Sequence, residues 1–460
     1  MVSLYDTRRR KVVPFEPLHD SRVSMYVCGP TVYDVPHVGH ARTAFTFDMI
    51  RRYLQWRGFE VTFVSNITDI DDKIIARAAE TGSTEPELAA RYERAYVEQM
   101  DRFGIAPPDH RPHATAYIDP MLAFIADLID REAAYVIDGK GVYFSVDAHD
   151  RYGDLIGRTP DELREGAGAR VEVDVEKTDP LDFALWKAAK PGEPLWESPW
   201  GPGRPGWHIE CVAMAGDLLG DPFDIHGGGD DLAFPHHQNE VAEAEAAGLG
   251  FARYWIHGAM LNVNGEKMAK SLGNFTTLSD LLDACDPQAL RLLMLQTHYR
   301  TVMELSDDAL AGATAALDRL RAWQRRATAA GVDPAAEPDP EAVVNFTEAM
   351  DHDFGTPAAL AVVFDLVREA NAALDAADAD RAATAHAAVG ELTDALGLAL
   401  PVGPAPGDDA LAESVEALLA QRDEARKARD FAAADRIRDQ LADQGIILED
   451  TAGGTVWRRA

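Results

Sequence analysis

Cys28-Gly29-Pro30-Thr31-Val32-Tyr33-Asp34-Val35-Pro36-His37-Val38-Gly39-His40 joins a thiol to a glycine- and histidine-bearing segment within one connection between elements. Residues 23–30 alternate as a short strand. Residues 41–57 read as a helix, with Phe45, Met49 and Tyr53 at four-residue spacing and Gly58 as its stop. Val61-Thr62-Phe63-Val64 follows as a second strand. Strand, helix and strand at this spacing imply a right-handed parallel unit. Ligands on such sheets bind beyond the carboxyl ends of the strands, where residues 28–40 and 66–72 fall.

Between residues 120 and 205 hairpin signals take over, as in Val136-Ile137-Asp138-Gly139-Lys140-Gly141-Val142-Tyr143-Phe144, and mark an insertion into the sheet. Parallel character returns with Phe223-Asp224-Ile225-His226, running into Gly227-Gly228-Gly229, and with Tyr254-Trp255-Ile256-His257. From Pro287 the chain reads as helical, interrupted at residues 331–340 and again at 401–409. Two helices and a hairpin around Gly453-Gly454 close the sequence. The expected fold class is α/β: a Rossmann-like parallel-sheet catalytic domain over residues 1–286 with an insertion at about 120–205. A helical bundle over 287–400 and a small α+β module over 411–460 follow.

Acidic residues outnumber basic ones 77 to 44 among 460 residues, a net charge of −33. Phosphate repels such a surface, which argues against a general nucleic-acid binder but not a specific one, and a polyanionic partner must find local basic patches. Residues 421–460 hold eight basic and eight acidic side chains, which leaves that end neutral. No stretch of about 20 uninterrupted apolar residues is present, and the first eleven residues lack the apolar segment of a signal peptide. The expectation is a soluble, cytoplasmic protein. Three widely spaced cysteines, at 28, 211 and 285, form no disulfide framework and fit a reducing compartment with metal or catalytic use.

His37-Val38-Gly39-His40 follows a proline and opens a helix, so its imidazoles and the free N–H groups of the first turn can face an anion. Lys267-Met268-Ala269-Lys270-Ser271, flanked by Gly265 and Gly273, reads as a mobile loop whose two cations can close on a triphosphate. A second group gathers metal-binding types. Pro235-His236-His237-Gln238-Asn239-Glu240 starts a helix, with His236 and Glu240 at i and i+4. Together with Cys28 and Cys211 these make a zinc set of two thiolates, one imidazole and one carboxylate. His237 also reaches the face of Glu240, and the choice of His236 rests on the i, i+4 spacing. Cys285, among Leu281, Leu282 and Leu290, reads as a core residue in a helix.

These residues together resemble the class I aminoacyl-tRNA synthetases, and within them the cysteinyl-tRNA synthetase family, over essentially the whole chain. The resemblance is carried by residues 28–34, Gly206-Trp207-His208-Ile209-Glu210-Cys211, Gly227-Gly228-Gly229-Asp230-Asp231-Leu232, residues 234–237 and residues 430–438. It implies a cysteine–tRNA ligase that activates L-cysteine with ATP and passes it to tRNA-Cys, acting as a monomer. Zinc on Cys28, Cys211, His236 and Glu240 would take the substrate thiolate as an added ligand. His37 and His40 would serve the α-phosphate, and Lys267 and Lys270 the pyrophosphate. Thr31, Asn66, Thr68 and Trp207 fall around the cysteine, Thr43 on the nucleotide side, and Gly229, Asp231 and Val263 at ribose and adenine. His226 and His257 also face this pocket. Magnesium accompanies ATP without a dedicated protein site. Ala269 stands where the family usually has serine, and Val38 where isoleucine is common. The alternative is a mycothiol-pathway cysteine ligase with an amino-sugar acceptor, a family similar in its catalytic domain but without a terminal module. The basic residues Arg426, Lys427, Arg429, Arg436, Arg438, Arg458 and Arg459, with an exposed Trp457, favour tRNA.

Overall fold

The computed structural model describes residues 1–167, 176–267, 276–400, 409–444, 446–451 and 454–459. Two compact units divide the chain: Met1–Ala313 with Thr347–Ala359 and Ala395–Gly397, and Thr314–Phe346 with Leu360–Asp394 and Leu398–Ala460.

The first unit is built on β1 (Arg22–Val27), α1 (Val38–Trp56) and β2 (Glu60–Ser65), the right-handed unit expected. Phe45, Met49 and Tyr53 lie buried along α1, and the backbone leaves the helix through Gly58 at φ +88°. The helix begins three residues earlier than its apolar spacing indicates, because His37 caps it. The polypeptide continues through α2 (Asp72–Thr81), α3 (Glu85–Arg102) and α4 (Ile118–Asp130) into an antiparallel sheet. That sheet pairs β3 (Ala134–Ile137), β4 (Gly141–Phe144), β5 (Phe183–Ala188) and β6 (Gly203–Pro205) in sequence order. Its core joins Val142, Phe144, Leu185 and Trp186 to Met121, Ile125 and Leu128 of α4.

The chain then returns through α5 (Trp207–Leu219), β7 (Phe223–Gly229), α6 (Gln238–Ala246) and β8 (Ala252–Gly258). The parallel sheet has the order β8-β7-β1-β2. Strand order reverses between β1 and β7, which opens a crevice at their carboxyl ends. Tyr26, Cys28 and Val64 share one buried cluster with Cys211, Val212 and Ala215 of α5 and Val241 of α6. Alternation leaves Met25 and Val27 for the other face.

Beyond the sheet lie β9 (Leu261–Val263), β10 (Glu266–Lys267), α7 (Leu278–Ala284), α8 (Pro287–Leu295) and β11 (Met303–Leu305). The reading of continuous helix from Pro287 is corrected here, since β11 pairs parallel with β9. Three residues are too short for a periodicity to be legible. Cys285 is also not helical: it follows α7 in an extended conformation, half-buried, and burial with Asp286 nearby raises its thiol to about 11.

The second unit is helical, with α9 (Asp307–Ala329) entering it and α10 (Pro340–Asp351) leaving it, and with α11 (Thr356–Asp375) and α12 (Ala379–Ala395). Trp323 meets His386 edge-on at 5.7 Å. It ends in α13 (Asp409–Lys427), α14 (Phe431–Asp443) and the hairpin β12 (Ile446–Thr451) with β13 (Gly454–Arg459). Val415, Leu441 and Ile446 form the core of this end, with Leu418, Leu419, Ile437, Leu448 and Trp457 against it. Trp457 is therefore a half-buried packing residue and not the exposed platform expected. The exposed aromatic side chain there is Phe431, 63% accessible.

Candidate active site

At the crevice, Gly29 lies against Asn66 so closely that a Cβ would sit 1.6 Å from the Asn66 carbonyl. On β7, a Cβ on Gly227 would meet the Phe47 ring at 2.2 Å, and one on Gly228 would meet His237 at 2.8 Å. These glycines let strand, helix and imidazole approach, which leaves a cavity of about 990 Å³ outside the strand ends. Thr31, His37, His40, Thr43, Asn66, Trp207, Gly229 and Asp231 line it, as do Tyr33, Leu232 and Met260. Two expected pocket residues stand elsewhere. Val263 is buried on β9, and Thr68 is buried behind Asn66, accepting from Asn66 Nδ2 at 3.3 Å and donating to Glu210 Oε2 at 2.9 Å. Asn66 Oδ1 in turn accepts the Gly29 N–H at 2.9 Å. Glu210, buried beneath Thr68, is a partner of this group that sequence reasoning missed. Burial first, and then Cys211, push its carboxyl well above the usual range, so it stays protonated.

His37 is the N-cap of α1: its Nδ1 accepts from Gly39 N–H at 3.1 Å, while Nδ1 of His40 accepts from His37 N–H at 3.1 Å. The rings stack at 3.8 Å. Burial, followed by the charges of His37 and Lys73, lowers His40 to about 3, so it is neutral at physiological pH. With Nδ1 spent as an acceptor, a neutral ring carries its proton on Nε2. The pair thus offers N–H donors at a helix N-terminus, where the backbone dipole also favours an anion. The backbone of Lys267 pairs with Asn262 in β10, whereas Lys270 and Ala269 lie outside the described residues. Thr277, which follows that stretch, forms a bridge to His37, and Val38 N–H donates to Thr276 O at 3.4 Å.

On the other side of Cys28 the donors converge. Cys28 Sγ stands 3.5 Å from Cys211 Sγ, 3.5 Å from His236 Nε2 and 3.6 Å from Glu240 Oε1. Cys211 Sγ to His236 Nε2 is 3.6 Å, and His236 Nε2 to Glu240 Oε1 is 3.0 Å. Zinc bonds of about 2.3 Å to sulfur and about 2.0 Å to nitrogen or oxygen set tetrahedral donors about 3.3–3.8 Å apart. The four residues fit that ion in type and in spacing. His236 lies in a wide turn, residues 233–237, before α6 begins at Gln238, so the regular helix starts after the histidines. Trp207 stacks on His236 at 4.1 Å, and His208 Nδ1 lies 2.9 Å from His236 Nδ1. Burial works against ionisation here and the neighbours oppose it. Glu240 holds His236 up at about 10, and His226 and His236 hold Glu240 well below the carboxylate range. Cys28 is raised by burial and by Cys211, while Cys211 is lowered to about 6 by its hydrogen bond with Cys28.

His226 and His257 sit beneath this group rather than at the cavity wall. His226 Nε2 is 2.6 Å from Glu240 Oε2, and His257 Nε2 is 2.8 Å from His237 Nδ1.

The parallel sheet, with a histidine pair at the helix opening and a glycine-walled cavity at the strand reversal, has the architecture of the class I aminoacyl-tRNA synthetases. The solved structures similar to it agree. Mycobacterium tuberculosis methionyl-tRNA synthetase in complex with methionyl-adenylate matches with a TM-score of 0.61 at 14% identity, over 82% of this chain and 89% of that one. An Agrobacterium radiobacter LeuRS in a ternary complex matches at 0.62 and 12%, over 84% and 85%. The family model for the tRNA synthetases class I (C) catalytic domain matches residues 14–315, the DALR domain residues 345–400, and the cysteinyl-tRNA ligase anticodon binding domain residues 408–458. Cysteine–tRNA ligases of Alkalilimnicola ehrlichii and Halorhodospira halophila are each 51% identical over the full length of both chains, and that of Geobacillus thermodenitrificans is 48% identical over 100% of this chain and 99% of its own. The chain belongs to the cysteine–tRNA ligase family. The amino-sugar alternative finds no support, since these relatives match to the end of the chain and the terminal module is matched by an anticodon-binding family.

Proposed function

We propose that the four donors Cys28, Cys211, His236 and Glu240 hold the zinc ion with which this ligase selects cysteine, beside the histidine pair that activates the carboxylate. The observation that carries this reading is the spacing of the donors, 3.0–3.6 Å, at the floor of the same crevice that His37 and His40 line. Zinc bound there supplies a soft Lewis acid that prefers a thiolate to an alcohol. Shape alone separates near-isosteres by only about 1–3 kcal/mol, so selection against serine needs such chemistry.

His37 and His40, neutral and protonated on Nε2, donate to the α-phosphate as the cysteine carboxylate attacks it. Lys267 and Lys270 neutralise the departing pyrophosphate. Asn66, fixed by Gly29 and Thr68, and Trp207, fixed on His236, border the amino acid, with Thr31 opposite them. Thr43, Gly229 and Asp231 serve the nucleotide, a carboxylate being a natural acceptor for ribose hydroxyls. Residues 1–286 carry the chemistry, 287–400 form the helical bundle and 411–460 meet the anticodon of tRNA-Cys. The ligase works as a monomer in the cytoplasm, and no helix among the described residues is long and apolar enough to cross a membrane.

The test is cysteine-dependent exchange of pyrophosphate into ATP, with zinc measured on the same sample. Chelation should lower exchange by about 100-fold or more, and one equivalent of zinc should restore it. In the cobalt-substituted enzyme, free cysteine should strengthen the thiolate-to-metal absorption and serine should leave it unchanged. Full exchange by the metal-free enzyme, or a cobalt spectrum indifferent to cysteine, would refute the reading.

A further inference from the structure

We propose that the floor of this site contains a second metal station, formed by Cys28, His226, His237 and Glu240, which holds a divalent ion when the first set is incomplete. The four donor atoms lie within 4.8 Å of one another, and all four residues are buried. His237 Nε2 stands 3.3 Å from Cys28 Sγ, and His226 Nε2 stands 2.6 Å from Glu240 Oε2.

One of the two imidazoles, His237, is held as metal ligands are usually held. Nδ1 of His237 meets Nε2 of His257 at 2.8 Å, and Nδ1 of His257 meets Thr7 Oγ1 at 2.7 Å, so Nε2 of His237 is the nitrogen left for Cys28. His226 stacks on Trp255 at 4.5 Å, and its Nδ1 is buried without a hydrogen-bond partner. That leaves Nε2, aimed at Glu240, as its working atom. Charge is compatible with this set as well. One thiolate, one carboxylate and two neutral imidazoles around a dication sum to zero, whereas two thiolates and a carboxylate leave one negative charge in a dry pocket.

Cys28 and Glu240 belong to both sets, so one ion occupies one station or the other. His226 and His237 are fully buried and do not border the cavity; Cys28, which both sets share, is the donor that does. An ion in the second station leaves Cys211 and His236 without metal, so it is retained without the arrangement proposed for selecting cysteine. This inference rests on the donors alone and is separable from the role proposed for the first set.

The experiment measures metal content and cobalt absorption of full-length variants, with folding followed by thermal unfolding. Cys211→Ser and His236→Ala, which each remove a ligand of the first set only, should retain about one ion per chain. Their cysteine-dependent pyrophosphate exchange should be lost. Cys28→Ser and Glu240→Gln, which damage both sets, should bind metal at least about 100-fold more weakly than Cys211→Ser. Adding His237→Asn to Cys211→Ser should release the ion. Should that double variant fail to fold, X-ray absorption on His236→Ala decides: one sulfur donor supports the station, whereas two sulfur donors, Cys28 and Cys211, overturn it. Loss of metal from folded Cys211→Ser and His236→Ala as complete as from Cys28→Ser overturns it. So does a second equivalent bound beside the first in the unaltered enzyme.

Discussion

His37 and His40 each serve two purposes with one ring: Nδ1 closes the first turn of α1, and the ring lines the cavity. The two purposes are separable by substitution. His37→Asn retains a side-chain acceptor for the Gly39 N–H, so thermal stability should change little, whereas His37→Ala should cost about 1 kcal/mol. Both should slow adenylate formation by about 10²–10³-fold, because both remove a donor aimed at developing charge. Pyrophosphate exchange and a melting curve on the pair check this, and exchange by His37→Asn near the normal rate would refute it. Trp457 shows the opposite case. A tryptophan beside two arginines near the end of the sequence reads as an exposed stacking surface, but its cross-strand partner is Leu448 and it covers the module core.

Among elements, the helix and the strands that make the crevice were legible because their side chains repeat at helical or strand spacing. Phe45, Met49 and Tyr53 gave α1, and the glycine run gave the end of β7. Residues 37–40 were legible as the opening of α1, but the capping role of His37 was not, since histidine lies outside the usual set of capping residues. Nor was β11, whose three residues are placed by pairing with β9. The metal donors were legible as types near strand ends. Which histidine faces which donor was not, because the wide turn at residues 233–237 brings both His236 and His237 to Cys28. A tie between elements gives a further test. Glu245 on α6 accepts from Arg8 at 2.5 Å and from His149 at 2.8 Å, linking the first residues of the chain to the insertion. Burial alone would raise its carboxyl, but His149 and Arg8 outweigh it and hold it at about 2, below an ordinary value of 4.5. A lowered carboxyl contributes stability above pH 4.5 that is lost as pH falls towards 2. Glu245→Gln should therefore cost about 1–3 kcal/mol at neutral pH and flatten the acid limb of a melting-temperature profile. An unchanged profile would remove Glu245 from this role.

Across the full chain, activation and tRNA recognition fall in different stretches of sequence. Removing residues 411–460 should leave cysteine-dependent pyrophosphate exchange within about twofold, since the cavity residues all precede residue 261. Charging of tRNA-Cys should fall by about 10²-fold or more with the lost contacts, and equal charging by the truncated enzyme would refute an anticodon role for the module. On a surface of net charge −33, Arg426, Lys427, Arg429, Arg436 and Arg438 are exposed on α13, α14 and the turn between them, giving a polyanion a local place to dock.

The separation of 183 positions from Cys28 to Cys211 matters to how the enzyme is made. A ribosome adding about 5–20 residues per second delivers Cys211 roughly 10–40 s after Cys28. Throughout that interval the first thiol travels on a nascent chain without its partner. A pulse of oxidant should therefore strike newly translated molecules first, while copies whose two thiols are already buried together continue to supply the ribosome.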